Sequence, residues 1–150
     1  SGETQHAYAD KLFGLNFGQS GRLGVDHGGV GSFGGNSSIS DDFWHHVAWV
    51  QEHDDTTKTA VWRLYVDGKQ LAAKPHVPTK LDDGNHTVRL GGRSLSSVFA
   101  QFFQGHLDEV RVSNFARGSA WLSASYANQK NPASFALVGA EEQISVFPEP

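Results

Sequence analysis

Apolar and polar residues alternate through AVWRLYV, residues 60–66. Ala60, Trp62, Leu64 and Val66 share one face of an extended chain, and Val61, Arg63 and Tyr65 share the other. Asp67-Gly68 follows, and KQLAA resumes an extended pattern. Two strand patterns joined by Asp-Gly predict a hairpin with a two-residue type I′ turn, returning from Lys69 to Ala73. Asp67 and Gly68 are therefore assigned a structural role.

Shorter strand patterns recur on both sides. KLFGLNF (11–17) and RLGVDH (22–27), separated by GQSG, predict a hairpin, and the glycine-rich GGVGSFGGNSS predicts a loop after it. FWHHVAWV (43–50) predicts a strand that ends near Gln51. Phe43, His45, Val47 and Trp49 would share one face, and Trp44, His46, Ala48 and Val50 the other. Both faces are largely apolar, as in an inner strand covered on both sides. His45 and His46 point to opposite faces and cannot chelate one metal from such a strand. Trp44 and Trp62 are expected in the core.

TVRLGGR (87–93) predicts a further strand, and SLSSVFAQFFQG a loop that gathers Phe99, Phe102 and Phe103. GHLDEVRVSN (105–114) alternates again. A helix is predicted over about 119–129, in SAWLSASYANQ, where Ser119 caps the start and Trp121, Leu122, Ser125 and Tyr126 form one stripe. Asn131-Pro132 stops it, and SFALVGA (134–140) returns to a strand pattern. One domain over residues 1–142 with a tail or linker at 143–150 is expected, and the fold class is all-β: an antiparallel sandwich with one short helix.

Composition supports many short strands and tight turns: 17 Gly, ten Phe and four Trp in 150 residues. The net charge of −4, with Lys and Arg scattered, gives no footprint for nucleic acid, so no nucleic-acid partner is expected. No apolar run reaches the roughly 20 residues that cross a bilayer, so no membrane insertion is expected. The absence of Cys removes disulfides, thiolate metal sites and a cysteine nucleophile. With no Met either, the chain is expected to be a processed product or an excised piece of a longer protein.

Candidate chemistry is sparse. Asp108 shares a face with Val110 and Val112, so a carboxylate would point inward if the valines do. Such a group must accept several backbone N–H bonds or ligate a cation, Ca²⁺ being the one that hard oxygen ligands suit. Both alternatives stand at this point. Asp41-Asp42, Asp54-Asp55 and Asp82-Asp83 fall in turn-like contexts where Asp bonds its own backbone. A glycosidase needs two carboxylates facing each other across a cleft, whereas Asp108 and Glu109 fall on opposite faces of their strand. HGGVGSFGG precedes neither a helix pattern nor Lys-Ser/Thr, so it is a weak phosphate-loop match. The chain is accordingly expected not to be an enzyme. Exposed aromatics at loops stack on sugars or anchor proteins, which makes Phe33, Phe99, Phe102 and Phe103 the candidate ligand contacts.

In order along the chain, DDFWHHVAWV, AVWRLYVDGKQLA, TVRLGG and FFQGHLDEVRVSNFAR resemble successive motifs of the laminin-G-like, concanavalin-A-like jelly-roll superfamily. SAWLSASYANQKNPASFALVGAEE is similar to the tail of its bacterial cell-surface members. The resemblance covers about residues 12–142. It implies a jelly-roll sandwich in an extracellular or cell-surface protein, a non-catalytic module that binds glycan or protein through rim loops. Two further functions are weighed beside it: a structural or assembly module, and a fragment of a polysaccharide-degrading enzyme. The N-terminal strands that usually precede these motifs in the family are not found. A partner strand or self-association is therefore expected to cover the sheet edges left without them.

Overall fold

The computed structural model describes residues 13–17, 21–27, 31–76, 90–95, 98–100, 102–135 and 139. Three antiparallel sheets and two helices are formed among them. The first sheet has the order β1 (Phe13–Phe17), β2 (Arg22–His27), β3 (Gly31–Ser38). The second has the order β4 (Val47–Asp54), β5 (Thr59–Val66), β6 (Lys69–His76). A short hairpin joins β7 (Arg93–Leu95) to β8 (Val98–Ala100), and α1 (Ser119–Lys130) and α2 (Pro132–Phe135) follow.

The β5–β6 hairpin forms as its alternation and Asp-Gly predict. Asp67 and Gly68 have φ of 51° and 73°, the pair of positive values that a type I′ turn requires. Register then decides which side chains meet. Trp49 lies opposite Leu64 and Gln51 opposite Trp62 on one face, and Ala48 opposite Tyr65 on the other. Trp62, Leu64, Leu23 and Val25 are fully buried, and Phe33, Val47, Trp49, Val66 and Leu71 pack around Leu23, Val25 and Leu64. The first sheet thus covers one face of the second, which is the sandwich core. On the opposite face Val50 and Tyr65 close on Leu122 of α1. Ser123 Oγ donates to the Gly68 carbonyl at 2.7 Å, fixing α1 to the hairpin turn. β4 is therefore covered on both sides, as its two apolar faces predict.

Several expectations are corrected. The glycine-rich stretch 31–38 is strand, because its glycines permit close approach: a Cβ on Gly34 would lie 2.8 Å from the Leu23 carbonyl oxygen, and one on Gly35 would collide with the Leu71 side chain. The strand of FWHHVAWV starts only at Val47, and Phe43 and Trp44 lie outside it, exposed. Trp44 is thus not a core residue. Part of the expected 94–105 loop is the β7–β8 hairpin. Residues 105–114 form no strand, since no described element pairs with them. Gly118, not Ser119, occupies the N-cap of α1, with no side-chain cap. Lys130 ends α1 before Asn131-Pro132 as predicted, but Pro132–Phe135 turns into α2, so Ser134 and Phe135 of the expected 134–140 strand are helical, and residues 136–138 and 140 lie outside the described residues. Along the α1 stripe Leu122 is buried and Ser125 and Tyr126 are half-buried, whereas Trp121 lies towards solvent. Of the expected 87–93 strand, Leu90, Gly91 and Gly92 are not in a strand and Arg93 opens β7; residues 87–89, the Asp82-Asp83 turn and the 143–150 tail fall outside the described residues.

Candidate functional site

The type I′ turn sets a carboxylate beside the start of β4. Asp67 Oδ1 accepts the His46 N–H at 3.1 Å, and the Asp67 N–H donates to the His46 carbonyl at 2.8 Å. Asp67 Oδ2 lies 2.9 Å from His45 Nδ1, and Asp41 Oδ1 lies 3.0 Å from His45 Nε2. Asp41 also accepts the Phe43 N–H, the local bond expected of a turn aspartate, as Asp54 accepts from Thr56 and Thr57. Both nitrogens of His45 therefore face carboxylate oxygens, and only the doubly protonated ring donates to both. Burial opposes that charge, but the hydrogen bonds to Asp67 and Asp41, with their attraction for the cation, outweigh it and raise the His45 pKa. The His46 pKa is lowered, chiefly by burial, and its buried Nδ1 has no hydrogen-bond partner.

This clamp fixes the turn that carries two exposed aromatics. Trp44 is 68% exposed, and its indole lies against the His106 imidazole with ring centres 6.2 Å apart. The adjoining Leu107 reaches towards Gly91, whose carbonyl accepts the Phe103 N–H at 2.8 Å. Leu90 and Phe102 are exposed on the same stretch, Phe102 at 63%. Phe43, Trp44, Leu90, Phe102 and Leu107 are thus exposed apolar side chains on three stretches, residues 43–44, 90–91 and 102–107, which the Trp44–His106 contact and the Phe103–Gly91 hydrogen bond bring near one another. Exposed large apolar side chains gathered in this way mark contact surfaces.

The expected contacts separate accordingly. Phe102 is at the surface, and Phe103, 37% exposed, has its ring beside Gly105. Phe99 stands on β8, and its side chain lies outside the described residues. Phe33 is corrected: it stands on β3 and stacks on Trp62 with ring centres 5.9 Å apart, so it packs within the sandwich. Asp108 is corrected too. Its carboxylate is exposed and accepts only the neighbouring Glu109 N–H at 2.8 Å, because Val110 and Val112, on whose burial the inward position depended, are themselves exposed. Glu109 turns to Arg111 instead. Among the described residues no three His, Asp or Glu side chains gather as a metal site.

A concavity of about 540 Å³ lies between the outer face of the second sheet and the start of α1. Glu52, paired with Arg63, lines it with Tyr65, Gln70 and Arg117. Arg117 lies over the Phe115 and Trp121 rings, 4.0 and 4.6 Å from their centres, which gives the exposed Trp121 a structural contact of its own. Neither this cleft nor the histidine clamp was found from sequence. Asp41, four residues before His45, was the available signal for the clamp.

Over residues 3–138 the chain matches a family described as the concanavalin A-like lectin/glucanases superfamily. Among solved structures it is similar to an S-layer domain-containing protein of Clostridium thermocellum (residues 221–444 of that protein). The TM-score is 0.51 and the identity 15%, over 78% of this chain and 57% of that one. No curated protein matches the chain. Among the described residues no helix is long and apolar enough to cross a membrane.

Proposed function

We propose, for a chain that belongs to the concanavalin A-like superfamily, that it is a non-catalytic recognition module of a cell-surface protein. Its contact surface is the apolar face around Trp44 and Phe102, and its ligand a glycan. The observation that carries this is the exposure of two large aromatics, held on a turn and on the segment after β8, beside polar His106. Aromatic faces stack on the apolar faces of sugar rings while neighbouring polar groups reach the hydroxyls. The likeness in fold to an S-layer domain-containing protein supports the cell-surface assignment. The occupation of both His45 nitrogens by carboxylates supports the non-catalytic one, since it leaves that imidazole no free nitrogen to act as a base.

The test is a glycan array probed with the wild-type chain and with the Trp44→Ser/Phe102→Ser double variant, in calcium and in chelator. The wild type should bind a defined group of glycans and the double variant none, with both proteins melting alike. Equal binding by the two would refute the surface assignment.

A further inference from the structure

We infer that residues 105–113 are a pairing strand for a second copy of this chain, joined antiparallel with Val110 on the two-fold axis. The segment alternates like a strand, yet among the described residues no backbone–backbone hydrogen bond joins 104–117 to anything else. Its apolar side chains face water: Leu107 is 52%, Val110 54% and Val112 94% exposed. Local contacts stand in for a ladder. Glu109 takes a left-handed φ of 53°, its N–H is held by the carboxylate of the preceding Asp108, and its own carboxylate folds onto Arg111 at 2.6 Å. An added strand would return Glu109 to an extended conformation, satisfy the free backbone groups and bring Val110 against its counterpart.

Charge selects both the occupant and the register. With Val110 opposite Val110, Glu109 of each copy faces Arg111 of the other, and two opposite-charge cross-strand pairs form. An axis at Glu109 or at Arg111 would set like charges face to face, and parallel in-register pairing would do so at both positions. The two-fold axis of an antiparallel pair is normal to the sheet and keeps each side chain on its own face, so it passes through a residue and not between two. The segment is thus complementary to itself in one antiparallel register. Such an isologous contact closes as a dimer. His106 and Leu107 border both this strand and the Trp44–Phe102 face, but the pairing turns on Glu109, Val110 and Arg111, so the charge variants test it without touching Trp44 or Phe102.

The experiment measures molar mass by light scattering over a concentration series. The wild type should pass from monomer to dimer. Glu109→Arg places Arg opposite Arg, and Arg111→Glu places Glu opposite Glu, so each variant alone should stay monomeric. Mixed in equal amounts they should dimerise, because every facing pair becomes Arg–Glu while the intrachain pair stays broken in both. Val110→Pro, which removes a ladder donor at the axis, should be monomeric as well. A wild type that is monomeric throughout, a single charge variant that dimerises like the wild type, or a mixture that stays monomeric would each overturn the inference. Circular dichroism of every variant confirms that the fold is retained.

Discussion

Replacing Asp67 by Asn tests the histidine clamp while disturbing little else. Asn keeps an oxygen for the His46 N–H, bonded at 3.1 Å in the wild type, and tolerates the left-handed φ of 51°. What it loses is the charge facing His45 Nδ1 at 2.9 Å. A hydrogen bond to a charged group contributes about 1.5–3 kcal/mol. The side chains of Asp67 and His45 are 29% and 19% exposed, so screening reduces the expected loss to about 1–2 kcal/mol. For a domain of this size that lowers Tm by roughly 2–8 °C. The loss depends on pH. The His45 pKa is raised on folding, so its contribution is fully present below the unfolded value, near 6.5, and disappears as pH rises through the folded value. The stability gap between wild type and Asp67→Asn should therefore be widest between the carboxylate range and about pH 6.5. It should narrow on the alkaline side. Urea denaturation of both proteins across this range measures it, and a gap that is constant or grows with pH would refute a charged His45.

Three further substitutions probe the layers around the clamp. His46→Phe should leave Tm unchanged or raise it, because it removes a buried Nδ1 that has no hydrogen-bond partner; a clear drop in thermal denaturation would count against that assignment. Leu122→Ala should cost about 2–4 kcal/mol, read by denaturant titration, since Leu122 is the buried α1 residue that meets Val50 and Tyr65. Gly35→Ala should cost about 1–3 kcal/mol by overpacking against Leu71, and a fully stable variant would mean that the two sheets lie farther apart than described.

What was legible in the sequence was what local rules control. The β5–β6 hairpin follows from alternation plus Asp-Gly, the end of α1 from Asn-Pro, and the double covering of β4 from its two apolar faces. What was not legible depends on neighbours distant in sequence. Gly34 and Gly35 carry no strand signal of their own, and their suitability for β3 appears only with Leu23 and Leu71 beside them. GHLDEVRVSN has the pattern of a strand, but a strand also needs a partner, and none of the described elements supplies one. Phe33 and Trp44 exchanged expected places for the same reason: the first sheet covers Phe33, whereas β4 begins after Trp44. The clamp joins residues 22 apart, so adjacent histidines alone gave no indication that Asp67 reaches back to both.

The recognition face is tested most directly by following the indole Nε1–H resonances of the four tryptophans during titration with the oligosaccharide bound best on the glycan array. The Trp44 signal and the backbone amides of residues 102–107 should shift in a saturable way, while the signal of the buried Trp62 stays in place. If Trp44 is unmoved and the amides of Arg63, Gln70 and Arg117 shift, ligand enters the cleft beside α1 and the Trp44–Phe102 face is not the binding surface.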